Sequence, residues 1–167
     1  MSDPVLADMF RRSQALLDLA KEKGATLGVV ESCTGGLLGA ALTAPPGSST
    51  VFHGGFLTYS NALKQSLVGV SADTLQRYGA VSEQTALEMA AGGRDRLDVD
   101  YAISITGIAG PSGGSLEKPV GTVWFGLASD RGVTAQMKPF GDLPRNRVRD
   151  QAVLHALTML NEAVHQT

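Results

Sequence analysis

Apolar positions along the chain switch repeatedly between helical and strand-like spacing. Over 5–23, Leu6, Met9, Phe10, Leu16, Leu17 and Leu19 recur at roughly helical intervals, and Gly24 stands where a left-handed C-cap ends a helix. The run 26–30 (TLGVV) reads as a short buried strand, and 35–43 as a small-residue helix closed by Ala44, Pro45, Pro46 and Gly47. Residues 51–59 predict a second strand, with Gly54 and Gly55 marking a bulge or a close backbone approach. Residues 61–68 predict a turn or two of helix. Ser71 and Ser82 have the composition of N-caps for helices over 72–78 and 83–97, the second weakened by Gly92 and Gly93.

A buried strand over 101–105 leads into the glycine-rich segment 106–114, which continues to Pro119. Strands over 122–128 and 133–137 flank Ser129, Asp130, Arg131 and Gly132, a hairpin composition that makes this pair antiparallel. The last helix, opened by Asp142 or Pro144, carries an apolar stripe through Val148, Ala152, Val153, Ala156, Leu157 and Leu160. Strands alternating with helices and then a hairpin imply an α/β layered fold with a mixed sheet of about five strands. Such folds bind ligands beyond the carboxyl ends of their parallel strands, and segments 31–36 and 106–114 both fall there.

Composition narrows the partners. The 167 residues, 43% hydrophobic, suit one domain over 1–167 that can bury a core without disulfide or structural metal. A net charge of -2 provides no basic field for nucleic acid or an anionic membrane. The single cysteine, Cys33, excludes an internal disulfide and a cysteine-rich zinc site, and suits a reducing compartment. The opening residues resemble neither a signal peptide nor a membrane span, so cytoplasmic residence is expected. Chains of this size often form symmetric homo-oligomers, which sets a base expectation only.

Signatures of P-loop, dinucleotide-binding, zincin and ordinary α/β-hydrolase sites are absent, and His53, His155 and His165 are scattered. Interest therefore falls on ESCTGG, residues 31–36. Ser32 lies at a strand end before a helix, where the amides of Thr34, Gly35 and Gly36 can form a nest for a phosphate or an oxyanion. The plainer alternative is an N-cap followed by glycines that let the helix pack closely. A nucleophilic serine needs a base, and without a suitable histidine the candidate is Lys64 in TYSNALK, provided burial lowers its pKa; the alternative is a solvated lysine. Tyr59 can hydrogen-bond at the same site, and Asn61 can cap the helix or contact substrate. Thr106 and Gly107 repeat the arrangement of a strand end, a hydroxyl and small residues. Arg145, Arg147 and Arg149 are candidates to hold a phosphate, the alternative being solvated arginines at a helix start, and Arg145 and Arg149, at i and i+4, share one face.

ESCTGGLL, TYSNALK, GAVSEQTALEMA, TGIAGPSGG with KPVGTVWFGL, and the arginine-bearing entry to the last helix together resemble the CinA carboxy-terminal domain family across almost the whole chain. The resemblance implies a three-layer α/β/α fold with a mixed, mostly parallel sheet. It also implies PncC-type hydrolysis of the carboxamide of nicotinamide mononucleotide (NMN) to nicotinate mononucleotide and ammonia, in pyridine nucleotide recycling. On that resemblance Ser32 is the nucleophile, Lys64 its base, and Tyr59 and Thr106 support them, with no cofactor and no metal. The family's GDR is interrupted here, as Gly141, Asp142, Leu143, Pro144 and Arg145. The substrate phosphate is expected on Arg145 or on the 106–114 loop. Three rivals stay open: Cys33 as nucleophile, a non-catalytic nucleotide-binding or adaptor domain, and an amidase for another anionic amide.

Overall fold

The computed structural model describes residues 3–166, and its elements follow the chain's own punctuation. Helix α1 (Pro4–Lys23) starts on Asp3, whose side chain accepts the Val5 amide, and stops at Gly24 in the left-handed region. Strand β1 (Leu27–Glu31) follows, then α2 (Leu37–Thr43), a 3-10 turn at Ser48–Thr50, and β2 (Phe52–Leu57). Helices α3 (Asn61–Val68), α4 (Ala72–Tyr78) and α5 (Glu83–Leu97) are each capped by the preceding serine, Ser60, Ser71 and Ser82. Strands β3 (Tyr101–Gly107), β4 (Thr122–Ser129) and β5 (Gly132–Pro139) precede α6 (Arg145–His165).

The sheet order is β2-β1-β3-β4-β5. β1 pairs parallel with β2 and with β3, whereas β3 with β4 and β4 with β5 are antiparallel, so β4 alone opposes the common direction. The register slips opposite His53, the bulge that Gly54 and Gly55 suggested. At the opposite end of β1 from the site, Thr26 and Asp100 exchange hydrogen bonds and fix the start of the β1–β3 pair.

The larger core lies where α1, α2 and α6 meet the sheet, through Leu16, Leu27, Leu38, Ile103, Phe125, Leu157 and Leu160. The other face packs Val30, Val68, Val70 and Met89 in a small cluster under α3 and α5. That cluster is small because α5 lies almost on its neighbours: a β-carbon on Gly92 would sit 1.7 Å from the Val68 carbonyl oxygen. Gly92 and Gly93 weaken helix propensity and are the reason the helix can pack here. No described helix is long and apolar enough to cross a membrane.

Candidate active site

The register sets the site. Glu31 stands opposite Leu57 on one side and Ile105 on the other, so the next residues, Thr58, Ser32 and Thr106, form a row of hydroxyls across the carboxyl ends of three parallel strands. Two further ladder bonds hold the row, Thr58 N–H to the Glu31 carbonyl at 2.8 Å and Ser32 N–H to the Ile105 carbonyl at 3.0 Å.

Helix α3 brings Lys64 to this row. Its side chain is 1% exposed, with Nζ 2.7 Å from the Thr58 carbonyl oxygen and 3.1 Å from Ser32 Oγ. Burial pushes the Lys64 ammonium below its ordinary range, only partly offset by Cys33. Of the two readings of Lys64, the solvated one is therefore excluded. Ser32 is 8% exposed, so it is the member of the pair that reaches the surface. The arrangement can do proton transfer: a neutral amine donates to Thr58 and leaves its lone pair for the serine hydroxyl.

Cys33 turns away from this chemistry. Burial, the main cause, pushes its thiol up to about 11 against the opposing pull of its own amide; the Glu31 carboxylate adds to the rise, and Lys64 and Arg145 oppose it least. A thiol so placed is protonated near neutral pH and a poor nucleophile.

The turn from Ser32 to Gly39 departs from the expected nest. Gly35 N–H donates to the Ser32 carbonyl at 3.1 Å, and Gly36 N–H to Glu31 Oε2 at 3.0 Å, with Gly36 at φ 95. Two of the three expected amides are thus spent within the protein. Thr34 N–H and Cys33 N–H donate to no oxygen among the described residues. Sequence reasoning left Glu31 without a role; its buried carboxylate also accepts Leu38 N–H at 3.1 Å and Gly39 N–H at 2.8 Å. The available signal was an acid at the end of an apolar strand, directly before a helix start that favours negative charge.

Of the other expected residues, Tyr59 is exposed and its hydroxyl accepts from Arg145 Nη2 at 3.2 Å; it makes no hydrogen bond to Ser32 or Lys64. Arg145 also donates to the Gly110 carbonyl at 2.8 Å, joining the glycine-rich loop to the rim. Arg149, one turn later, donates to the Thr34 carbonyl at 2.9 Å. Neither arginine has a carboxylate partner among the described residues. Thr106 is buried and its hydroxyl donates to the Ala80 carbonyl at 2.7 Å, holding the α4–α5 connection. Gly107 packs against Val123, where a β-carbon would meet the Val123 side chain at 2.7 Å. Asn61 is exposed, and the cap of α3 is Ser60. Thr34 Oγ1 and Thr58 Oγ1 are buried without a partner. No cluster of three or more metal-ligating side chains occurs among the described residues.

Comparison with known proteins extends these observations over nearly the whole chain. The chain is 52% identical over 147 residues to the nicotinamide-nucleotide amidohydrolase PncC of Enterobacter agglomerans, covering 86% of this chain and 88% of that protein. It is 46% identical over 172 residues to a CinA-like protein of Parasynechococcus marenigrum, covering 95% of this chain but only 41% of that longer protein. The solved structure of the competence/damage inducible protein CihA from Agrobacterium tumefaciens superposes with a TM-score of 0.91 at 42% identity, covering 95% and 96% of the two chains. A family model described as the CinA C-terminal domain matches residues 10–164. With this family model covering most of the chain and the relatives agreeing with it, the chain belongs to the CinA C-terminal domain family.

Proposed function

We propose that this protein hydrolyses the carboxamide of nicotinamide mononucleotide, releasing ammonia and nicotinate mononucleotide, with Ser32 as nucleophile and Lys64 as its base. The observation that carries the reading is the 3.1 Å approach of Lys64 Nζ to Ser32 Oγ, with the lysine buried and its pKa lowered. Neutral Lys64 takes the Ser32 proton as Oγ bonds to the amide carbon, and delivers it to the nitrogen as the C–N bond breaks and ammonia leaves. Water then attacks the acyl-serine and gives a proton to Lys64, which returns it to Ser32 Oγ as the ester C–O bond breaks; the product acid loses its remaining proton to solvent and departs as the carboxylate. The oxyanion of each tetrahedral step lies against the unspent amides of Cys33 and Thr34, where preorganised donors lower the barrier by about 3 kcal/mol.

The substrate's phosphate falls to Arg145. Its guanidinium has no acidic partner among the described residues, and its present acceptors, a tyrosine hydroxyl and a carbonyl, are neutral, so a phosphate dianion outcompetes them. Because Arg145 is already bonded to Gly110, the glycine-rich loop takes part through that arginine. The relative named nicotinamide-nucleotide amidohydrolase supports this choice of substrate.

The test is ammonia release from NMN by the purified chain. Wild type turns over, and Ser32→Ala and Lys64→Met each abolish turnover while keeping the fold. Tight NMN binding without any ammonia release would replace this reading with a non-catalytic nucleotide-binding role.

A further inference from the structure

Six of the eight amides from Ser32 to Gly39 are spent inside the protein. Ser32 donates to Ile105, Gly35 to Ser32 and Leu37 to Thr34, through backbone carbonyls, while Gly36, Leu38 and Gly39 donate to the Glu31 carboxylate at 3.0, 3.1 and 2.8 Å. The two that donate to no oxygen among the described residues, Cys33 and Thr34, directly follow the proposed nucleophile, the Cys33 amide facing its own sulfur. Helix α2 is seven residues long and has no side-chain cap of its own, because its N-cap position is Gly36. Glu31 caps it from the strand, and Glu31 is covalently joined to Ser32.

From this ledger we infer that Glu31 is a positioning residue for the reaction: by gathering the three amides of the α2 entry it fixes the turn that aims Ser32 and leaves the Cys33 and Thr34 amides unspent. The inference rests on the Ser32 reading above. A carboxylate suits the task better than a neutral cap, because hydrogen bonds to an ionised acceptor are about twice as strong as neutral ones and one residue here reaches three donors. Its 1% exposure keeps water from competing for those donors. The same occupancy withholds these amides from the substrate's phosphate and the product's carboxylate, so only the arginine side of the site is offered to the phosphate. The residue works on the geometry of Ser32 and touches no reacting atom.

Glu31→Gln tests this directly. It keeps the shape and one carbonyl oxygen but turns an NH2 group toward a backbone donor, so the three-amide clasp cannot form intact. In the folded variant, checked by near-ultraviolet circular dichroism, kcat for NMN falls on the order of 10- to 100-fold and KM stays within about twofold, since the phosphate contact is untouched. The acidic limb of the pH profile does not move. Labelling of Ser32 by a fluorophosphonate slows in parallel. Glu31→Asp, which keeps the charge and withdraws the oxygens by one methylene, gives the same split and serves if the glutamine variant does not fold. A folded variant with wild-type kcat reduces Glu31 to a helix cap, and a shifted acidic limb means that it acts through the charge on Lys64; either overturns the inference. If wild type labels at Ser32 but releases no ammonia from NMN, the substrate reading fails while the labelling ratio still decides the role of Glu31. If Ser32 takes no label in wild type, both fall.

Discussion

The carbonyl oxygen of Thr58 lies 2.7 Å from Nζ of Lys64, at the end of a strand and six residues before the lysine it holds. The β2–α3 connection therefore closes on itself, and the lysine is presented to Ser32 by a backbone group that cannot titrate. Such a partner orders the amine without stabilising its charge as a carboxylate would. It leaves burial as the dominant influence on the protonation of the base.

The first prediction concerns pH. As the proposed base Lys64 must be neutral, and its pKa lies below lysine's ordinary 10.5. Turnover falls as pH drops through that lowered value, so the wild-type pH–rate profile carries an acidic limb set by Lys64. Stability follows the same sign. The unfolded chain retains a proton that the folded chain sheds, so wild-type stability rises with pH between the lowered value and 10.5, and is reduced below it. Denaturant titrations of wild type and Lys64→Met at several pH values should diverge in that direction; parallel curves count against a buried base.

Arg145 supplies the second. Arg145→Ala removes a charged donor set from the phosphate and raises KM for NMN by about 10- to 100-fold, the worth of a hydrogen bond to a charged group. The corresponding nucleoside, which has no phosphate, is affected much less. Steady-state kinetics on both substrates measure the difference, and an equal effect on the two removes the phosphate from this arginine.

Cys33 gives a third. A thiol raised to about 11 by burial reacts slowly with a disulfide reagent at pH 8 in the native protein and promptly once denatured. Cys33→Ala retains most of the amidase activity. Loss of activity in this variant together with full activity in Ser32→Ala would exchange the two roles.

The fourth separates packing from helix propensity. Gly92→Ala improves α5 as an isolated helix by about 1 kcal/mol, yet its β-carbon would fall 1.7 Å from the Val68 carbonyl oxygen. Backbone has to move, and the net effect is a loss of about 3 kcal/mol, read as a lower unfolding midpoint in urea. A variant as stable as wild type would show that α3 and α5 can separate freely.

Much of the architecture was legible because it depends on local signals. Gly24, Ser71 and Ser82 sit where a glycine C-cap and serine N-caps place them, and the turn at Ser129 to Gly132 makes β4 and β5 antiparallel. Ser32 and Lys64 were recoverable as residue types, and their meeting across 32 positions follows from β2 lying beside β1. Glu31 was not recoverable in the same way. Its three donors lie five to eight residues later and converge only after the chain passes through left-handed Gly35 and Gly36. Thr106 has a position matching that of Ser32, and the α4–α5 turn delivers the Ala80 carbonyl to its hydroxyl, a contact 26 residues away that no spacing rule signals. Gly92 looked like a weakness in a helix because propensity is local, whereas the carbonyl it accommodates belongs to another helix.

The parallel pairing of β1 with β3 has a kinetic side. β4 and β5 join through a tight hairpin and β3 reaches β4 through residues 108–121, whereas the β1–β3 pair begins at Thr26 and Asp100, 74 positions apart. Closing so long a loop is entropically costly, so that seam forms late, after the hairpin half of the sheet. Ser32 is the last rung on the seam, through its bond to Ile105. Substitutions at Ser32 are therefore expected to speed unfolding more than they slow folding. The proposed chemistry rests on the part of the sheet expected to assemble last, and its loss under stress will be governed by how quickly that seam reopens.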